Sequence, residues 1–101
     1  MDRATSRTGV PIRLTEERWF HIVENHDDLA GYYDDVLATV EDPDVILQGD
    51  AGALVAAKRV APRRHLAVVY REASRHDGFV VTAYFTRRLA RRTVLWRKEQ
   101  Q

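Results

Sequence analysis

Residues 65–72 read His-Leu-Ala-Val-Val-Tyr-Arg-Glu, and residues 79–86 read Phe-Val-Val-Thr-Ala-Tyr-Phe-Thr. Both stretches are rich in β-branched and aromatic residues, and a polar loop ending in Asp77-Gly78 joins them. This pattern predicts two long strands paired in a hairpin. Because side chains alternate along a strand, the second strand should have two faces: Phe79, Val81, Ala83 and Phe85 on one, and Val80, Thr82, Tyr84 and Thr86 on the other.

Two weaker strands precede this hairpin. Val45-Ile46-Leu47 is a short apolar run, and the turn residues Gly49-Asp50-Ala51-Gly52 follow it. Residues 53–60 are strand-like although rich in alanine, and Pro62 closes them. Consecutive strands with short connections pair antiparallel, so the second half of the chain predicts a four-stranded antiparallel sheet.

The first half of the chain has helical spacing instead. Thr15 is placed as the N-cap of a first helix. The residues that follow form one apolar stripe at helical intervals: Trp19, Ile22, Val23 and His26. A second helix fits residues 28–41 and ends at Asp42-Pro43. Helices followed by strands predict an α+β fold, with two N-terminal helices packed on the four-stranded antiparallel sheet.

Length and composition narrow the class of protein. A chain of 101 residues allows one hydrophobic core. We divide it into a flexible N-terminus over residues 1–11, a single domain over residues 12–97 and a C-terminal tail over residues 98–101. The absence of cysteine excludes disulfides, thiolate catalysis and Cys-containing zinc sites. No apolar run approaches the roughly 20 residues of a membrane span, and the chain begins without the apolar core of a signal peptide, so we expect a soluble, cytoplasmic protein without membrane contact.

The net charge of +1 conceals two opposed halves of the chain. Residues 1–52 carry twelve acidic residues and four arginines, a balance of −8, whereas residues 53–101 carry twelve basic and three acidic residues, a balance of +9. This asymmetry indicates a polyanionic partner such as nucleic acid, unless the two halves simply pack together and cancel. Arg87-Arg88-Leu89-Ala90-Arg91-Arg92 is the densest basic stretch. It is suited to gripping phosphates, or to keeping a small domain soluble.

Histidine and hydroxyl side chains supply further candidates. His21 and His26 lie about 140° apart on a helix, so they cannot chelate one metal as an i, i+4 pair does, and we expect no metal. His26 is a candidate general acid or base, the alternative being a partly buried histidine at the helix end. Thr82 and Tyr84 share a strand face, where they could position a phosphate or be ordinary strand residues.

Basic side chains on the predicted strands can point to either face of the sheet. Lys58 and Arg59 are neighbours on one strand, so only one of them can point to the solvent face of the sheet. Arg71, at the end of the next strand, raises the same question. The sequence does not decide which of these cations accompany Thr82 and Tyr84.

Two blocks of this chain resemble a known nuclease family. They are Leu14-Thr15-Glu16-Glu17-Arg18-Trp19-Phe20-His21-Ile22 with Asn25-His26-Asp27-Asp28-Leu29, and Gly78-Phe79-Val80-Val81-Thr82-Ala83-Tyr84-Phe85-Thr86-Arg87-Arg88. Together they resemble phage-associated nuclease-like domains of the barnase–EndoU–colicin–RelE assemblage, in which a tryptophan such as Trp96 follows the final strand. The resemblance covers about residues 12–97. The family usually has proline and glutamate after the second histidine, where this chain has Asp27-Asp28.

The resemblance implies RNA cleavage without a metal or cofactor, in which a ribose 2′-hydroxyl attacks the adjacent phosphate. By position, His26 corresponds to the family's helix histidine, Thr82 to its strand hydroxyl, and Lys58 or Arg59 to its phosphate-stabilising residue. Tyr84 would orient the phosphate together with Thr82. The flanking RNA backbone would be held by five arginines: Arg71, Arg87, Arg88, Arg91 and Arg92.

The sequence is compatible with three functions. The first is an endoribonuclease, which the resemblance connects with bacterial or phage toxins and a cognate inhibitor protein. The second is an RNA- or partner-binding module of the same fold without catalysis. The third is a domain whose opposed charge halves drive self-association. Cleavage of RNA separates the first from the second, and a weak salt dependence of RNA binding favours the third.

Overall fold

Seven strands form one curled, mixed sheet, a half-barrel, in the computed structural model, which describes residues 3–99. The strands are β1 (Arg3–Thr5), β2 (Pro11–Arg13), β3 (Val45–Gln48), β4 (Leu54–Ala61), β5 (Arg64–Glu72), β6 (Gly78–Thr86) and β7 (Val94–Arg97). Their order is β1-β2-β6-β5-β4-β3-β7, and β2 and β6 are the one parallel pair among the described strands. The prediction of two helices on a four-stranded antiparallel sheet is therefore wrong.

The four predicted strands are the central meander β3 to β6, and three short strands extend it. Strands β1 and β2 have three residues each and β7 has four, a length at which alternation of apolar residues is not visible in a sequence. Strands β2 and β7 pair with the two edges of the meander, β6 and β3, and β1 then pairs with β2. The predicted flexible segment over residues 1–11 thus contains β1, with Ala4 and Val10 in the core. Residues 1–2 and 100–101 of the predicted termini lie outside the described residues.

Two helices follow β2. Helix α1 (Glu16–Asn25) begins as predicted, because the Thr15 side chain accepts a hydrogen bond of 3.1 Å from the backbone N–H of Arg18. Helix α2 (Tyr33–Glu41) begins later than residue 28, because Asp27–Leu29 form a separate 3₁₀ turn and Gly31 has a φ of +88°. Its end before Asp42-Pro43 is confirmed.

The sheet has a different cover on each face. The first face carries the helices, and its core joins apolar side chains of α1, α2 and the 3₁₀ turn to those of β4, β5 and β6: Ile22, Leu29, Val36, Val40, Ala56, Leu66, Val68 and Tyr70 are among them. The second face has a smaller apolar cluster of Val45, Leu47, Val55, Ala57 and Ala67. Residues 87–93, here named the arm, link β6 to β7 and contact this cluster through Leu89.

A β-bulge in β6 changes which of its side chains share a face. Val69 pairs with Thr82 but Tyr70 pairs with Val80, so Val81 has no partner on β5. Val80 consequently joins Ala83 in the first core, and the predicted strict alternation along β6 is wrong at this point. Beyond the bulge, Thr82 and Tyr84 share the second face, as predicted.

The buried Tyr70 makes stability depend on alkaline pH. Burial, and after it the charge of Glu72, raises the pKa of Tyr70 to about 12. An unfolded tyrosine has a pKa of about 10, so the unfolded state loses this proton first. The contribution of Tyr70 is complete below about pH 10 and is lost as the pH rises toward about 12, by at most about 1.4 kcal/mol per pH unit.

Urea unfolding of the wild type and Tyr70→Phe at about pH 9 and about pH 11 measures this loss. We expect the wild type to lose more stability than the variant between the two pH values. Parallel losses would show that Tyr70 is not responsible.

Candidate functional site

The arm crosses the second face and divides it into two clefts. At its start, Thr86 Oγ1 accepts a hydrogen bond from Arg88 N (3.3 Å) and donates one to Arg88 O (2.8 Å), which turns the chain away from β6. At its end, Gln48 N donates to Thr93 O (2.9 Å), which ties the arm to the far end of β3. Between these points Leu89 packs on the apolar cluster. The two clefts lie on either side of this crossing.

The first cleft has a volume of about 400 Å³ and is here named the tyrosine cleft. Its polar lining consists of Asp50, Arg71, Thr82, Tyr84 and Arg92. These residues come from the turn after β3, from the neighbouring strands β5 and β6, and from the arm. The structure therefore brings together Thr82, Tyr84 and two of the five arginines that the sequence assigned to the RNA backbone.

Both arginines of the tyrosine cleft are held in place by the turn after β3. Arg71 Nη1 donates a 2.7 Å hydrogen bond to the carbonyl oxygen of Ala51, a residue in the left-handed region with a φ of +51°. Arg92 Nη1 lies 3.0 Å from Asp50 Oδ1. A guanidinium group has five N–H donors, so each arginine keeps donors for an anion in the cleft. Exposed ion pairs of this kind contribute little to stability, so their effect is chiefly to orient the side chains.

His26 lies beside the tyrosine cleft rather than in its wall. Its ring is 6.2 Å from the ring of Tyr84, centroid to centroid, with the planes tilted by 37°. It caps the C-terminal end of α1, and its backbone N–H donates to Ile22 O at 2.8 Å. Because β2 pairs with β6 only at Gly78 and Phe79, the rest of that edge of β6 has no strand partner among the described residues. The end of α1 and the 3₁₀ turn contact β6, which places half-buried His26 next to Tyr84.

Lys58 and Arg59 point to opposite faces, and neither lines the tyrosine cleft. Lys58 pairs with Leu66 of the first core, and its Nζ is 3.5 Å from Asp42 Oδ2. Lys98, and after it Lys58, holds the pKa of the Asp42 carboxyl below its ordinary value. The structure does not bring Lys58 together with Thr82 and Tyr84.

Arg59 is on the second face but at some distance from Thr82. Across the sheet, Thr82 is aligned with Val69 and Val55. Arg59 follows Val55 by four residues on β4, a separation of about 13 Å along the strand. The cations that line the tyrosine cleft together with Thr82 are Arg71 and Arg92 instead.

The second cleft, here named the histidine cleft, has a volume of about 330 Å³. Its charged and polar lining is Asp44, Arg59, His65, Arg97, Lys98 and Glu99. Sequence reasoning gave His65 no role. The turn at Pro62-Arg63 pairs Ala61 with Arg64, and a bulge at Val60 then places His65 opposite Arg59, a shift for which the sequence carries no signal. His65 Nδ1 is buried and has no hydrogen-bond partner within residues 3–99.

The remaining arginines extend the basic surface. Arg88, Arg91 and Arg92 follow the arm across the second face, whereas Arg87 lies at the hairpin end near Arg64. Arg87, Arg88, Arg91 and Arg97 are among the arginines whose side chains form neither an ion pair nor a hydrogen bond within residues 3–99. Within residues 3–99, four ion pairs join the two halves of the chain, those of Arg13, Lys58, Arg92 and Lys98. The two halves therefore cancel only in part.

The described residues contain neither a metal-binding cluster nor a membrane-spanning helix. In the part of the chain that the structure describes, no three His, Asp or Glu side chains form a cluster that could hold a metal ion. None of the helices within residues 3–99 has the length and apolar character needed to cross a membrane. Neither a protein-family model, nor a curated protein, nor a solved structure matches this chain. The resemblance to the barnase–EndoU–colicin–RelE assemblage stays a prediction.

Proposed function

We propose that this protein is a metal-independent endoribonuclease whose reaction takes place in the tyrosine cleft. The observation that supports this most is the convergence of Arg71, Thr82, Tyr84 and Arg92 on one cleft, with His26 beside Tyr84. The cleft volume of about 400 Å³ lies in the range of about 300–1,000 Å³ that is usual for binding sites. Its charged lining has two cations and one carboxylate, which favours an anionic substrate.

The chemistry divides between proton transfer and charge stabilisation. The ribose 2′-oxygen attacks the adjacent phosphorus and gives its proton to His26. The bond between phosphorus and the 5′-oxygen then breaks, and the Tyr84 hydroxyl supplies a proton to the departing oxygen. The products are a 2′,3′-cyclic phosphate and a 5′-hydroxyl end. An RNA strand that passes Tyr84 and continues over the unpaired edge of β6 brings its ribose to His26.

Negative charge builds on the non-bridging oxygens during this attack. Arg71 and Arg92 offer fixed N–H donors at that place, because the turn after β3 holds both guanidinium groups before substrate arrives. The Thr82 hydroxyl orients the phosphate between them. Arg88 and Arg91 on the arm contact phosphates on either side, and their unpaired charges provide the counterion release that drives binding.

The second candidate is an RNA-binding module without catalysis. It is favoured by the arginines of the second face that have no ion-pair partner within residues 3–99, since these alone suffice for binding. A cognate inhibitor that neutralises the enzyme would be an acidic protein covering the same basic face. Action on RNA would take place in the cytoplasm.

The test is cleavage of mixed single-stranded RNA in excess EDTA by wild type, His26→Ala and His21→Ala. His21 is the matched control, because it lies on the same helix but is exposed and contacts Glu24 instead of β6. We expect wild type and His21→Ala to cleave RNA, to leave 2′,3′-cyclic phosphate ends and to spare DNA, which lacks the attacking hydroxyl. His26→Ala should be about 10²–10⁴-fold slower.

Other outcomes decide between the candidates. RNA that all three proteins bind but none cleaves would replace the enzyme by the binding module. Equal cleavage by all three would keep the enzyme and remove His26 from its mechanism. Binding that hardly changes with salt would contradict both candidates.

A further inference from the structure

The histidine cleft is separated from the proposed reaction centre and has its own set of cations. Arg59, His65 and Arg97 come from β4, β5 and β7, and Leu89 of the arm closes the side toward the tyrosine cleft. Arg59 and Arg97 are exposed, and neither guanidinium group has an ion-pair or hydrogen-bond partner within residues 3–99. Two unpaired guanidinium groups thus face one cavity.

The acids of this cleft are partly engaged elsewhere. Asp44 Oδ2 accepts a 2.8 Å hydrogen bond from the backbone N–H of Arg59. Lys98 Nζ is shared with Asp42 at 3.4 Å, and Glu99 is exposed at the end of the described chain. Apart from His65, the charged side chains of the lining are three cations and two carboxylates. The positive charge of the cleft is therefore concentrated in the unpaired guanidinium groups of Arg59 and Arg97.

His65 adds a hydrogen-bonding group to the two arginines of this cleft. Its buried Nδ1 lacks a partner among the described residues, and such an unsatisfied group is unusual in a folded protein. The His65 ring also lines the cavity, where its N–H can donate to a phosphate oxygen. The paired N–H groups of an arginine guanidinium also match the oxygens of a phosphate.

We propose that the histidine cleft is a second, separate phosphate-binding site, formed by Arg59, His65 and Arg97. It takes a phosphate group, either free or carried by a ribose, and its volume of about 330 Å³ leaves room for part of the sugar. The site lies about 13 Å along the sheet from Thr82, so it holds a phosphate other than the one that reacts. It does not depend on the proposed RNA cleavage.

Binding of inorganic phosphate, followed by calorimetry and by the side-chain ¹⁵N signals of His65, tests the site directly. The variant is Arg59→Gln/Arg97→Gln, and the matched control is Arg18→Gln/Arg75→Gln, which removes the same charge from exposed positions outside both clefts. We expect the site variant to bind phosphate at least about tenfold more weakly, and the control to change by less than about twofold. The His65 signals should shift on titration in the wild type and in Tyr84→Phe.

The outcomes separate this site from the reaction centre. Phosphate binding that is equally weakened in both double variants would reduce the effect to general charge and overturn the proposal. A titration that leaves His65 unmoved would do the same. Comparison of oligonucleotides with a 5′-phosphate and with a 5′-hydroxyl then identifies the source, because only a site for a terminal phosphate discriminates between them. None of these measurements requires cleavage, so failure of the nuclease proposal would leave them interpretable.

Discussion

Tyr84→Phe should cleave RNA about 10²–10⁴-fold more slowly than the wild type while binding it with nearly the same affinity. The substitution removes the hydroxyl that we assign to the departing 5′-oxygen. It keeps the ring that packs against the second apolar cluster and beside His26. Single-turnover cleavage in excess EDTA, with binding measured separately, gives both quantities.

The matched control is Tyr32→Phe, which removes the same hydroxyl from an exposed ring that makes an edge-to-face contact with Phe85 outside the tyrosine cleft. Its cleavage rate should equal that of the wild type. If Tyr84→Phe also cleaves at the wild-type rate, Tyr84 does not transfer the proton, and Thr82 becomes the remaining hydroxyl in that wall. If both variants lose binding together with cleavage, the effect is structural.

The second large effect is on stability. Leu66 is fully buried on β5, between β4 and β6, in the core under the helices. Leu66→Ala removes buried methyl groups and leaves a cavity, so we expect the free energy of unfolding to fall by about 2–5 kcal/mol. That is a large share of the roughly 5–15 kcal/mol of a typical domain. Urea unfolding, with the m-value as a check on two-state behaviour, measures the change.

Leu95→Ala is the control for this prediction, because it deletes the same atoms from a side chain that is 52% exposed on the edge strand β7. We expect a change of at most about 0.5 kcal/mol. Similar losses at both positions would mean that Leu66 and Leu95 do not differ in burial as the structure describes.

The hydroxyls and the arginines of the candidate site differ in how far the sequence could place them. That Thr82 and Tyr84 share a face follows from residue parity within one strand, a local property. The grouping of Arg71 and Arg92 with them does not, because the place of Arg71 depends on the bulged pairing of β5 with β6 and that of Arg92 on the path of the arm. Lys58 shows the same limit. Alternation along the strand predicts that Lys58 and Arg59 point to opposite faces of the sheet, but only the position of the helices shows which of them contacts Asp42.

The sequence by itself determined the elements that depend on neighbours in the chain. The N-cap at Thr15, the end of α2 before Pro43 and the hairpin of β5 and β6 rest on capping, on proline geometry and on local apolar patterns. Each of these interactions spans a few residues, so its signal is present in a short window of sequence.

Only the tertiary structure decided the strand count, the bulge and the clefts. Strands β1, β2 and β7 are too short to show a period. Distant edges of the meander pair with β2 and β7, and β2 in turn pairs with β1. The bulge at Val81 depends on the pairing of β6 with β5. It reverses the alternation of side chains between the two faces at this point of β6. The two clefts arise where the arm crosses the curled sheet, so residues far apart in the chain share a cavity through long-range packing that no local pattern encodes.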